Sequence, residues 1–152
     1  MAGAYRDLPA SECTQQAALE LYQLVHRARV ASLGKSAEDT LTCATNCISL
    51  LLDLERYREA KSFARAQLRL ATRALGADHS YVLSISEDLA SAILYDDKST
   101  AQEKIDAEAS LVHTIETMRR VHGPESAEVR HAEEVLEYAR SVEEESDSEE
   151  DA

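Results

Sequence analysis

Three of the chain's four glycines recur in matching surroundings: Ser32-Leu33-Gly34-Lys35, Ala74-Leu75-Gly76-Ala77-Asp78-His79 and Val121-His122-Gly123-Pro124-Glu125. The first two are 42 residues apart and the next two 47, so one unit repeats and its second copy carries five additional residues. A repeat on this scale constrains the fold more than any local motif, because each copy must bury its apolar sides against its neighbours. Each glycine follows a long apolar-periodic run, where a helix C-cap in the left-handed conformation is expected.

Two helical patterns lie between successive glycines. In the first unit Leu41, Ala44, Ile48, Leu51 and Leu52 follow three- and four-residue steps. Leu54-Glu55-Arg56-Tyr57 interrupts them, and Ala60, Phe63, Ala64, Leu68, Ala71 and Leu75 resume. That pattern predicts a helical hairpin. The second unit repeats it with Val82, Ile85, Leu89, Ala90 and Ile93, then Ile105, Ala109, Leu111, Val112, Ile115 and Met118, and Asp96-Asp97-Lys98-Ser99-Thr100 is expected to carry the insertion. Ala18, Ala60 and Ala107 each stand sixteen residues before a glycine, which makes the N-terminal segment another second helix. Val129, Ala132, Leu136 and Ala139 make the third unit a first helix only. The expected architecture is an all-α stack of six helices over residues 11–142, with a flexible N-terminus (1–10) and an acidic, disordered tail (143–152).

Composition supports helices. Aromatics are 5% with no Trp, and Gly (4) and Pro (2) are too scarce for the many turns of a β-sandwich or barrel. Asp and Glu number 29 against 16 Lys and Arg, a formal charge of −13. Seven of those acids lie in the last ten residues, so the body has 22 acids against 16 bases, or −6. An acidic body opposes phosphate-backbone binding, and no nucleic-acid partner is expected. No long apolar run suggests a membrane span, and the start lacks the apolar core of a signal peptide. Three cysteines are too few for a disulfide framework. The expectation is a soluble cytoplasmic chain, with the nucleus also open to it.

Leu75-Gly76-x-Asp78-His79, Leu89-Ala90 thirteen residues after that glycine, and Arg56-Tyr57-x-x-Ala60 at a helix start resemble the 42-residue tetratricopeptide repeats of the kinesin light chain type. The resemblance spans roughly residues 11–140. It departs from the family at Lys104-Ile105, where an aromatic is expected, and at Val135 and Glu137, where the family has Asn and a small Ala. It implies a right-handed α-α superhelix whose first helices line a concave groove. Carried over position by position, the groove residues are Thr42, Thr45, Asn46 and Ser49, then Ser84, Glu87, Asp88 and Ser91, then His131, Glu134, Val135 and Tyr138. None is Lys or Arg, so an acidic C-terminus lacks the charge-assisted donors it needs. A neutral or basic extended segment fits better, with Glu87, Asp88 and Glu134 as counter-charges.

Other features have plainer readings. Lys61, Arg65, Arg69 and Arg73 recur every four residues, a basic stripe expected on the convex side. It reads first as a solvated helix face supported by Glu59, and otherwise as a seat for the tail, an acidic partner or RNA. Ser146 and Ser148 each have an acid three residues on, the pattern of acidophilic kinase targets. Cys43 and Cys47, one turn apart on an apolar face, read as packing residues and not metal ligands. No Gly-x-Ser-x-Gly elbow, phosphate-binding loop or His-Glu-x-x-His pattern occurs, and Glu87 and Asp88 are expected to be solvated with ordinary acidity. No catalytic residue, metal or cofactor is expected.

The resulting expectation is a non-enzymatic protein-interaction module. Two alternatives are an acidic-tailed, chaperone-like binder of basic proteins and an accessory subunit of an enzyme. The wide apolar arc of Leu19, Leu21, Leu24, Val25 and Val30 makes the terminal helices the expected place for a homodimer.

Overall fold

The computed structural model describes residues 10–34 and 37–150, with side chains described between 14 and 142. The described residues form six helices and no strand: α1 (Ala10–Leu33), α2 (Glu38–Asp53), α3 (Tyr57–Leu75), α4 (Ser80–Leu94), α5 (Ala101–His122) and α6 (Ala127–Glu150). Each helix packs on the next, and α4 also packs directly against both α2 and α6. Among the described residues α1 and α6 do not meet, and α1 approaches α3, and α3 approaches α5, through side chains: His26 meets the Phe63 ring edge-on at 5.4 Å, and Arg65 lies 4.0 Å from Glu103. The helices therefore follow one another in a line and do not close around a common axis.

Repetition of the sequence pattern appears in the core. Leu41, Ile48, Ala64, Ala71, Val82 and Ile85 bury the α2–α3–α4 layer, and Leu83, Ala90, Leu111, Ile115, Met118, Val129 and Ala132 bury the α4–α5–α6 layer. Ala60, Ala64 and Ala71 have no exposed surface. Small side chains along one side of α3 let neighbouring backbones approach. Ile105 and Ala109 depart from the expected apolar face: Ile105 is 55% exposed and Ala109 is exposed too.

That departure follows from where the insertion sits. The connection from α4 to α5 has six residues, 95–100, against three, 54–56, between α2 and α3. The rest of the addition lies within the helices, since α5 has 22 residues and α3 has 19. Residue 104 is thus inside α5, one turn beyond its start, whereas its counterpart Tyr57 opens α3. An aromatic that packs at a helix entry has no equivalent role there.

Helix ends are held by specific bonds. Thr100 and Glu103 form a reciprocal capping box at α5: Thr100 Oγ1 accepts from Glu103 N at 3.2 Å, and Glu103 Oε2 accepts from Thr100 N at 2.9 Å. His79 Nδ1 accepts from Tyr81 N at 3.2 Å at the start of α4. Gly76 and Gly123 have φ of 87° and 90°, as the sequence predicts, but ψ of 160° and 152°. This is not the left-handed helical conformation expected of them. Each glycine N–H closes the last helical bond itself, to Thr72 O at 3.0 Å or Arg119 O at 3.1 Å, and the chain then leaves extended toward the next helix.

A left-handed residue does occur elsewhere, at Glu55, with φ of 55°. Arg56 N donates to Leu51 O at 2.8 Å and Glu55 N to Leu52 O at 2.9 Å, which is a Schellman motif at the end of α2.

The end of the helical body differs from its predicted boundary. Residue 142 was the expected limit, yet α6 runs on to Glu150, through most of the segment expected to be disordered. Glu is a strong helix former, and that propensity favours continuation of a helix already nucleated by α6's packing on α5. The flexible N-terminus expected at 1–10 lies outside the described residues except for Ala10, which starts α1. The side chains of Ser146 and Ser148 also lie outside them.

Candidate functional site

The twelve groove positions implied by the resemblance fall on α2, α4 and α6. Their environments differ sharply. On α2, Thr42 Oγ1 lies 2.7 Å from Tyr81 Oη of α4 and donates to Glu38 O at 3.0 Å. Thr45 Oγ1 donates to Thr42 O at 2.9 Å; Asn46 is half-buried and Ser49 exposed. On α4, Ser84 is half-buried while Ser91 and Glu87 are buried. On α6, His131 and Glu134 are exposed, Val135 is buried, and Tyr138 is 51% exposed with its ring 5.1 Å from that of Tyr95.

Thr45, Ser84 and Glu87 share an open cavity of about 210 Å³ with Ser80, Tyr81, Met118, His122 and Glu128. Four hydroxyl side chains, two carboxylates and an imidazole line it, and no Lys or Arg does. Neither Asp88, Ser91 nor Tyr138 lines this cavity. Ser80, Tyr81 and Glu128 are missing from the sequence-predicted set. Tyr81 is reached through its bond to Thr42, and Glu128 through its helix's contact with α4; neither relationship has a local sequence signal.

Electrostatics on α4 correct one expectation. Glu87 and Asp88 were expected in solvent with ordinary acidity, yet burial raises the pKa of both. For Asp88 burial is reinforced by the Glu87 charge beside it, and His131 only partly opposes them, leaving the carboxyl at about 7. Its Oδ2 is closed off from solvent and accepts no hydrogen bond. His131 Nδ1 pairs with Glu87 Oε1, which raises the imidazole pKa and partly offsets the burial of Glu87. Both α2 and α6 pack on α4, so faces of α4 that a lone helix would leave in water are covered. A carboxyl oxygen closed off from solvent is poorly placed to give a proton to a substrate, because transfer needs hydrogen-bond reach.

The basic stripe on α3 is divided. Lys61 Nζ donates to Asp96 Oδ2 at 2.6 Å and to Ser99 Oγ at 3.2 Å, with both charged side chains nearly buried at 13% and 12% exposure. Arg65 lies 4.0 Å from Glu103 of α5. Arg69 and Arg73 are exposed. Glu59, expected to support the stripe, is instead held by Arg56, at 2.7 and 2.8 Å. Half of the stripe thus fastens α3 to the α4–α5 connection and the start of α5.

Cys43 and Cys47 are both buried and unoxidised. Burial, with a smaller contribution from Cys43, pushes the Cys47 thiol up to about 11, far from a reactive thiolate. Arg29 Nη1 donates to Asp39 O at 2.7 Å and to Cys43 Sγ at 3.3 Å, tying α1 to α2. Among the described residues no three His, Cys, Asp or Glu side chains are arranged to hold a metal ion, and no helix is long and apolar enough to cross a membrane. No protein-family model matches the chain, and no curated protein matches it.

Proposed function

We propose that the chain is a non-enzymatic interaction module that takes an extended, neutral or basic segment of another protein along α2, α4 and α6. The observation that supports this reading is the open cavity in which Glu87 and Glu128 stand among the hydroxyls of Thr45, Ser84 and Tyr81, with no Lys or Arg in its lining and the imidazole of His131 paired to Glu87 from outside it. Such a lining favours an ammonium or guanidinium group and disfavours a carboxylate, since charge-assisted hydrogen bonds need opposite charge. Asn46 of α2 and Glu134 of α6 are the further polar side chains that this reading assigns to the segment's path. The kinesin-light-chain-like repeat pattern agrees with a peptide-binding role.

An array of extended peptides of graded charge, probed with the purified chain, tests the reading. Peptides with Lys or Arg should be retained over acidic ones, and Glu87→Gln with Glu128→Gln should weaken retention about tenfold. Equal retention of acidic peptides, or indifference to both substitutions, overturns it.

A further inference from the structure

Helix α1 packs on α2 along its length, and its His26 also meets the Phe63 ring of α3 edge-on at 5.4 Å. Its covered side is marked by Leu19, fully buried, and by the half-buried Tyr22, His26 and Arg29. Ala17, Leu21, Leu24, Ala28 and Ala31 are all exposed on the opposite side, the two leucines by 61% and 57%. Their spacings are four, three, four and three. That is the a/d seam of a coiled coil, continued over two heptads on a face that no other described helix covers. A seam of this kind has no role in covering α2, and leucines exposed to this extent mark an association surface.

Charge indicates what covers it. The chain carries −13, yet α1 contains Glu12 and Glu20 in its first half and Arg27 and Arg29 in its second, so the helix itself is neutral and polarised. Two copies of an acidic protein can approach there without the repulsion they meet elsewhere. Laid antiparallel, Leu21 of one copy opposes Leu24 of the other and Ala17 opposes Ala28. Glu20 then flanks the seam beside Arg27 of the second copy, and Arg27 beside its Glu20. A parallel arrangement would instead set Glu20 near Val25. We propose that α1 is a dimerisation helix, pairing antiparallel with α1 of a second copy through Ala17, Leu21, Leu24, Ala28 and Ala31, with Glu20–Arg27 pairs fixing the register. The contact is isologous, as a two-fold dimer requires, and does not depend on the peptide-binding reading.

Sedimentation velocity of the full chain over a concentration series tests this, with circular dichroism confirming helix content. The wild type should be a dimer, and Leu21→Glu/Leu24→Glu should raise the dimer dissociation constant by about 100-fold or more. Glu20→Arg and Arg27→Glu should each weaken the dimer, and combining them should restore it. A wild type that stays monomeric at about 100 μM, a dimer insensitive to the leucine substitutions, or charge variants that fail to rescue one another would each overturn the proposal.

Discussion

Lys61 of α3 and Asp96 of the α4–α5 connection are joined at 2.6 Å across 35 residues of sequence, with both side chains nearly buried. The Lys61 hydrogen bond holds the Asp96 carboxyl below its usual acidity range, and Ser99 shares the same ammonium. An inserted loop is thereby anchored to the preceding hairpin.

Replacing Lys61 by Met keeps the stem and leaves Asp96 without its partner. The expected loss is about 2 kcal/mol in urea unfolding at neutral pH, the scale for a charged hydrogen bond. Because Asp96 has a lowered folded pKa, the wild type's advantage is present above about pH 4 and fades as pH falls through the folded value. The two proteins should therefore converge in acid.

Asp88 has the opposite sign. Its folded pKa of about 7 lies above the ordinary 3.8, so the folded state holds the proton more tightly and stability declines as pH rises between those values. Asp88→Asn should remove most of that decline and be more stable than wild type at pH 8, by on the order of 3 kcal/mol. Glu87 and His131 share the site and leave a residual slope. Unfolding curves at intervals from pH 4 to 8 measure it; a wild type with flat stability across that range contradicts the assignment.

Glu55 sits at φ 55° in the Schellman turn after α2, a conformation that crowds any β-carbon. Glu55→Gly should stabilise by roughly 0.5–1 kcal/mol despite the added chain entropy of glycine. A rise in thermal midpoint without change in helix content is the expected result.

Gly76 presents the converse case. A β-carbon there would touch nothing within 4 Å, so Gly76→Ala costs conformational strain alone. Its φ of 87° with ψ of 160° lies in a region that only glycine occupies readily, and the expected penalty is about 1–3 kcal/mol. Thermal melts of this variant beside Ala77→Gly separate the strain from a general loop effect.

Much of the architecture is legible before any coordinates. Glycine spacing and the three- and four-residue steps of Leu41 to Leu75 foretell α2, α3 and the turn between them. What escapes is tertiary. Glu87 and Asp88 are buried by tertiary packing, and the histidine that partly offsets that burial stands 43 or 44 residues further along, on a helix whose placement no local pattern specifies. The insertion divides between loop and helix: the polar run 96–100 marks the loop, but the added length within α5, capped by Thr100 and Glu103, has no polar signal of its own. The end of α6 is hidden because acid density implies repulsion, while glutamate's helix propensity, which favours continuation to Glu150, leaves no separate signal.

Among the described helices, α4 touches α2, α3, α5 and α6, whereas α1 rests on α2 and, through His26 and Phe63, on the edge of α3. Loosening should therefore begin at the termini and reach the middle last. Hydrogen–deuterium exchange should find the amides of Val82 to Ile93 the slowest in the molecule, with α1 exchanging well ahead. A change made in α4 would be felt on both sides at once, and one made in α1 would stay where it was made.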